Sequence, residues 1–146
     1  MKNAVFPGSF DPITSGHMEI IKRGSRLFET LTVAVCNNPE KKSLFSLKDR
    51  LEMIKNACRD MKNVRVASFE GLLIDFAEEN GIDTVLRGLR NARDFDYEKE
   101  LADIYYDTGR LESVFLPSRG EYSHISSGMV RELIRGNKDI SKYIPK

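Results

Sequence analysis

Gly8-Ser9-Phe10-Asp11-Pro12-Ile13-Thr14-Ser15-Gly16-His17 joins two segments of different periodicity, and its reading decides the fold. Before it, Ala4-Val5-Phe6 is a short apolar run predicted as a β-strand. After it, Met18-Glu19-Ile20-Ile21-Lys22-Arg23 places its apolar residues on one face of a predicted helix. A small-residue turn from strand to helix, with an imidazole at the helix start, is where an α/β protein best holds a phosphate. There the free backbone N–H groups and the positive helix end point the same way. Glycine at 8 and 16 lacks a Cβ and lets the backbone approach a ligand.

The same alternation continues along the chain. Leu31-Thr32-Val33-Ala34-Val35 reads as a second strand, followed by a polar loop from Asn37 to Ser43. Ser46 is a predicted N-cap for a helix whose Leu47, Leu51, Ile54 and Cys58 recur at helical spacing. Val64-Arg65-Val66-Ala67 is a third strand, and Leu72 to Glu79 a helix stopped by Asn80-Gly81. Thr84-Val85-Leu86 is a fourth strand ending at Arg87-Gly88. A charged helix over Asp94 to Tyr105 follows, then a turn near Asp107-Thr108-Gly109. Ser113-Val114-Phe115-Leu116 is a fifth strand, and a last helix starts near Ser126-Ser127 and ends at Gly136-Asn137.

Short apolar strands separated by helices imply parallel strands covered on both faces. The predicted architecture is therefore a single doubly wound α/β domain, Rossmann-like, with a five-stranded parallel sheet over residues 1–146. Ligands in such sheets bind beyond the carboxyl ends of the strands. The segments Gly8–His17, Asn37–Lys42, Ser68–Leu73, Arg87–Arg90 and Pro117–Ser127 are thus expected on one face.

Composition narrows the partners. The chain has 146 residues, 23 basic and 22 acidic, for a net charge of +1. That balance argues against a broad nucleic-acid surface and leaves small phosphorylated substrates open. The two cysteines, Cys36 and Cys58, have neither metal nor redox spacing and are expected as reduced core thiols. No leader and no membrane-length apolar run is read, so no membrane is expected as a partner and the expected location is cytoplasmic.

On residue chemistry, His17 is read as a donor to a phosphate oxygen that gains charge in a transition state. The alternative is a helix-start histidine satisfied by local backbone. Ser9 offers a hydroxyl to phosphate, whereas Asp11 is expected to brace the turn. Lys41 should overhang the site, and Arg87 and Arg90 suit phosphate clamping, with a surface salt bridge as the alternative for Arg90. Ile125-Ser126-Ser127 is either an N-cap alone or a further set of donors to a polyphosphate. Tyr122 either stacks on a base or packs against the turn, and Glu98 by itself reads as a solvated acid. Two histidines, His17 and His124, and scattered cysteines predict no protein-held metal. The glycine-rich loops of P-loop and dinucleotide-binding proteins are missing from the sequence.

Together these blocks resemble the bacterial phosphopantetheine adenylyltransferases of the nucleotidyltransferase α/β-phosphodiesterase superfamily. The resemblance spans nearly the whole chain. It rests on Phe6–His17, Asn38-Pro39-Glu40-Lys41-Lys42, Leu86-Arg87-Gly88-Leu89-Arg90, Asp94-Phe95-Asp96-Tyr97-Glu98, Leu111–Leu116 and Ile125-Ser126-Ser127. It implies transfer of an adenylyl group from ATP to 4′-phosphopantetheine, giving dephospho-coenzyme A and pyrophosphate. By position it implies that His17 is catalytic, that Ser9 and Phe10 contact ATP, and that Ser9 also faces the acceptor phosphate. It further implies that Lys41, Leu73 and Arg87 bind phosphopantetheine. Gly88, Leu89, Arg90 and Glu98 would contact ATP, as would Tyr122, Ser123, His124, Ile125, Ser126, Ser127 and Gly128. Mg²⁺ held through the ATP phosphates, a homohexamer, and coenzyme A as an inhibitor are also implied. Three features depart from the family pattern: Ile104-Tyr105 in place of Met-Asn, Gly128 in place of a third serine, and no further helix after Ile144-Pro145-Lys146. Another small-molecule nucleotidyltransferase and a non-catalytic nucleotide sensor are the competing readings.

Overall fold

A computed structural model describes residues 2–146. The strands β1 (Asn3–Gly8), β2 (Thr30–Cys36), β3 (Val64–Phe69), β4 (Thr84–Leu89) and β5 (Glu112–Pro117) form one parallel sheet in the order β3-β2-β1-β4-β5. The helices are α1 (Ser15–Ser25), α2 (Leu47–Ala57), α3 (Leu73–Glu79), α4 (Ala92–Gly109) and α5 (Ser127–Arg135). The expected five-stranded parallel α/β architecture is thus the observed one.

Burial explains why the sheet is covered twice. On one face, Ala4, Phe6, Leu31, Val33, Val35 and Leu86 pack with Ile20 and Ile21 of α1 and Ile54 of α2. On the other, Val5, Ala34 and Val85 pack with Leu73 and Ala77 of α3 and are flanked by Tyr105 of α4. Alternate residues of β1 therefore serve opposite cores, as the period of two requires. α1 lies close to β4 because residues 24 and 88 are glycines. A Cβ at Gly24 would fall 2.4 Å from Leu86 Cδ2, and one at Gly88 would fall 3.0 Å from Ile20 Cγ1.

Several predicted boundaries move. The turn expected at Asp107-Thr108-Gly109 is instead the last turn of α4, which stops at Arg110 in the left-handed region with φ 55°. Gly109 remains helical where the chain crosses α3, with room only for a hydrogen beside Ile74. α4 also starts earlier than Asp94, because the Asn91 side chain caps it by accepting from Asp94 N. The two cysteines are free thiols, with Cys58 buried and its pKa pushed up to about 11 by that burial.

The strand order places the functional face. β1 pairs with β2 over six registered positions, but with β4 only at Ala4–Thr84 and Val5–Val85. Beyond those pairs β1 and β4 part at their carboxyl ends. The chain turns outward in opposite directions from these two strands, so the gap is the topological switch point, where an open α/β sheet forms its ligand crevice.

Candidate active site

A cavity of about 420 Å³ fills that gap. Its wall is built by the turn after β1 (Gly8, Ser9, Phe10, Thr14, Gly16, His17), the end of β4 (Arg87, Gly88, Arg90), α4 (Asp94, Tyr97, Glu98) and the start of α5 (Ser126, Ser127, Arg131), with Lys41, Ser118, Tyr122 and Ile125 at other points of its lining. The strand-end segments that the sequence places together do converge, except that Ser68–Leu73 contributes nothing to this lining. Two helix starts, those of α1 and α5, open onto the cavity and bring positive ends to it.

His17 is locked by its own helix start. Thr14 caps α1, its Oγ1 accepting from His17 N at 3.2 Å, while Thr14 N donates back to His17 Nδ1 at 3.0 Å. A ring nitrogen that accepts a backbone N–H carries no proton, so the neutral ring holds its proton on Nε2. Nε2 lies on the side of the ring away from Thr14 and is the nitrogen left for the cavity. Phe10 and Phe6 meet the ring edge-on, with centroids 4.9 and 6.1 Å away. The pKa of His17 is lowered from 6.5 to about 4, first by burial and then by the positive charges of Arg87 and Arg90. The alternative reading, a helix-start histidine satisfied by local backbone, therefore holds for one of its two nitrogens. The local backbone satisfies one nitrogen, and that bond aims the other.

The low pKa has a consequence for stability. Unfolded His17 titrates near 6.5 and the folded residue near 4, so between these values the unfolded chain binds more protons. This group leaves stability untouched above pH 6.5 and lowers it as pH falls, by at most about 3 kcal/mol, with no further loss below pH 4. Urea unfolding of His17→Asn should therefore show a flatter decline than wild type between pH 6.5 and 4. Parallel declines would contradict the neutral, half-buried imidazole.

Arg87 is held by three bonds. Its Nε and Nη2 donate to Glu98 at 2.6 and 2.9 Å, and Nη1 donates to the Pro7 carbonyl across the gap between β1 and β4. Glu98 is buried, at 4% exposure, which corrects its reading as a solvated acid. Its two oxygens are occupied by Arg87, and two of the five guanidinium N–H groups remain for a ligand. Arg90 pairs with Asp94 at 3.1 Å on the exposed rim. It thereby makes the salt bridge anticipated as its alternative while still lining the cavity.

Asp11 braces more than the turn. Its carboxylate accepts from Leu44 N at 2.8 Å and Phe45 N at 2.9 Å, tying down the loop that carries Lys41. Ser126 caps α5 by accepting from Met129 N, and Ser127 Oγ donates to the Pro12 carbonyl at 2.7 Å. One serine is thus structural, whereas the hydroxyl proton of the other is still available. Ser9 and Phe10 sit in the wall, the Phe10 ring itself packed inward.

Other expected residues lie elsewhere. Leu73, the first residue of α3, is buried in the core against the sheet. Leu89, Ser123 and Gly128 are outside the lining. His124 borders a separate cavity of about 760 Å³ on the far side of Tyr122 and Ile125, with its ring edge-on to Tyr143. That larger space lacks His17, Lys41, Arg87 and Arg90.

Two residues went unread in the sequence. Arg131, on α5, donates to the Asp11 carbonyl at 2.8 Å and lines the cavity; a lone arginine on an amphipathic helix carries no signal of this. Arg50 did carry one. It falls three residues after Leu47 and four before Ile54, on the apolar stripe of α2, and it is buried. Chemically, the site offers an uncharged donor at its base and a rim of cations without a free carboxylate. It is suited to an anion that gains charge.

Known proteins show the family of the chain. The cytidylyltransferase-like family model matches residues 5–133. The phosphopantetheine adenylyltransferase of Finegoldia magna is 45% identical over 143 residues, covering 97% of this chain and 88% of that protein. That of Flavobacterium psychrophilum is 45% identical over 146 residues, covering 100% of this chain and 97% of its own. Among solved structures, a putative nicotinate-nucleotide adenylyltransferase from Vibrio parahaemolyticus superposes with TM-score 0.74 at 20% identity, covering 99% of this chain and 87% of that one. A bifunctional NMN adenylyltransferase/ADP ribose pyrophosphatase from Francisella tularensis, complexed with AMP and a Mn ion, superposes with TM-score 0.73 at 14% identity. It is matched over 98% of this chain and 44% of its own length, and at such identities these two structures speak for the fold alone. With full-length relatives at this identity and a family model over most of the chain, the sequence belongs to the phosphopantetheine adenylyltransferases, within the cytidylyltransferase-like nucleotidyltransferases.

Proposed function

We propose that this chain, acting as one domain over residues 1–146, transfers the adenylyl group of ATP to 4′-phosphopantetheine. The products are dephospho-coenzyme A and pyrophosphate, a step of coenzyme A biosynthesis. The observation that carries the reading is the neutral His17 ring, held by Thr14 at the base of a crevice rimmed by Lys41, Arg87, Arg90 and Arg131.

In this reading the acceptor phosphate attacks the α-phosphorus of ATP in line. A P–O bond forms there as the bond to the bridging oxygen of the β-phosphate breaks, and pyrophosphate leaves. The attacking oxygen is already ionised, so no base is needed. The nearby carboxylates of Asp11 and Glu98 already accept from protein donors, as a site without a base requires. His17 Nε2–H donates to the α-phosphate oxygen whose charge grows in the transition state. Arg87 and Lys41 hold the acceptor phosphate, with Ser9 between the two substrates. Phe10, Gly88, Arg90 and the Ser126 end of α5 receive the nucleotide. Positioning and charge stabilisation supply the rate.

A divalent cation fits this site through the substrate and not through the protein. Among the described residues no group of three or more His, Cys, Asp or Glu is arranged to hold a metal, and the lining is basic. Mg²⁺ bound to ATP oxygens and water suits such a wall and would offset charge on the leaving pyrophosphate. The homohexamer is what the resemblance implies; exposed Phe95, Tyr97, Ile104 and Tyr106 leave apolar surface on α4 for self-association. No helix among the described residues is long and apolar enough to cross a membrane. Work in the cytoplasm is part of this proposal. Coenzyme A, which contains the product, is the expected inhibitor.

Pyrophosphate release with ATP and Mg²⁺, measured with and without 4′-phosphopantetheine, tests the activity. Release that depends on the acceptor, with dephospho-coenzyme A identified by mass, is the expected result. Release only with nicotinamide mononucleotide or glycerol phosphate would reassign the substrate. ATP binding with no release in any mixture would leave a nucleotide sensor.

A further inference from the structure

Arg50 stands behind the phosphate-facing turn as a buried cation without a counter-ion. It is 4% exposed. Its Nη1 donates to the Ser9 carbonyl at 3.0 Å and its Nη2 to Asn37 Oδ1 at 3.3 Å, while Nε is buried with no partner. None of the ion pairs among the described residues includes it. A guanidinium does not shed its proton in a protein. Burying one against neutral acceptors alone is unfavourable unless a negative charge arrives from elsewhere.

The peptide it grips shows where that charge belongs. In a planar trans peptide the C=O and N–H point in opposite directions. The Ser9 oxygen faces Arg50, so the Phe10 N–H of the same peptide faces away from it. Ser9 and Phe10 line the cavity and Arg50 does not. Phe10 has φ 46°, in the left-handed region that residues with a side chain seldom adopt. Arg50 secures this conformation from the carbonyl side, and the packing of the Phe10 ring against Phe6 and His17 secures it from the other.

We infer that Arg50 is a positioning residue for the phosphates of the nucleotide: it holds and polarises the Ser9–Phe10 peptide so that the Phe10 N–H faces the bound anion, which supplies the counter-charge the guanidinium lacks. This rests on the nucleotide reading of the cavity but not on the identity of the acceptor.

Calorimetric titration of Arg50→Gln with ATP and with adenosine tests it, with Arg50→Lys as the conservative variant. Arg50→Gln should weaken ATP about tenfold or more and leave adenosine within about twofold. Arg50→Lys should return ATP affinity to within about threefold of wild type. Equal losses for ATP and adenosine, or no loss for either, would overturn the inference, since a purely structural arginine does not distinguish the two ligands. Should Arg50→Gln fail to fold, wild-type protein labelled with ¹⁵N-phenylalanine replaces it. Its Phe10 amide should shift downfield on adding ATP and stay in place on adding adenosine; an unmoved Phe10 amide overturns the inference. Wild-type protein that binds ATP but does not adenylylate phosphopantetheine would remove the proposed activity and leave this result standing.

Discussion

His17→Ala should lower kcat about 10²–10³-fold while ATP affinity changes by less than about threefold, the loss expected when one donor to a developing oxyanion is removed. The split follows from the geometry. The ring gives one nitrogen to Thr14 N and has one N–H left, and a neutral donor gains most where charge grows in the transition state. Ground-state phosphates have other donors in Lys41, Arg87, Arg90 and two helix starts, so binding should survive. Half of the α1 cap should survive too, because Thr14 Oγ1 accepts from the backbone N–H of residue 17, whereas the bond from Thr14 N to the ring is lost. Steady-state kinetics with both substrates, together with ATP titration, makes the comparison. Unchanged turnover would remove His17 from the mechanism. A parallel loss of ATP binding would make it a ground-state contact.

Arg87→Ala should raise KM for phosphopantetheine about 10–100-fold, the range for losing charge-assisted bonds to a phosphate. It should also destabilise the fold by about 2–4 kcal/mol, because it leaves the Glu98 carboxylate buried without its partner. The two effects separate in a double variant. Arg87→Met with Glu98→Gln has no orphaned charge, so thermal unfolding should recover most of the lost stability while KM stays high. If KM recovered along with stability, Arg87 would merely support the wall of the site.

How much of this is readable in the sequence depends on the range of each interaction. Ser46 and Ser126 cap helices where the sequence places them, since a cap involves residues only three apart. The stripe of Leu47, Leu51, Ile54 and Cys58 and the β-branched second strand also read correctly, because period alone decides them. Asp107-Thr108-Gly109 misleads: its composition is that of a turn, but packing of Ile74 against Gly109 carries the helix through to Arg110. Glu98 is one acid among several on α4, and nothing nearby marks it for burial. Its partner is eleven residues away, on a strand. Leu73 resembles a pocket residue by position, yet α3 turns it into the core.

The sequence by itself determined the alternation of strands and helices, the caps, and the phosphate-suited turn ending in His17, because these depend on neighbours within a helical turn or on side-chain period. Only the tertiary structure decided which strands lie side by side. By setting β1 beside β4 it brings Arg87 to the Pro7 carbonyl, 80 residues away in the chain, and close enough to lower the pKa of His17. It likewise buries Arg50 beneath the Ser9 peptide, 41 residues distant. Pairings over such separations leave no local pattern, because they follow from burying both faces of one sheet at once.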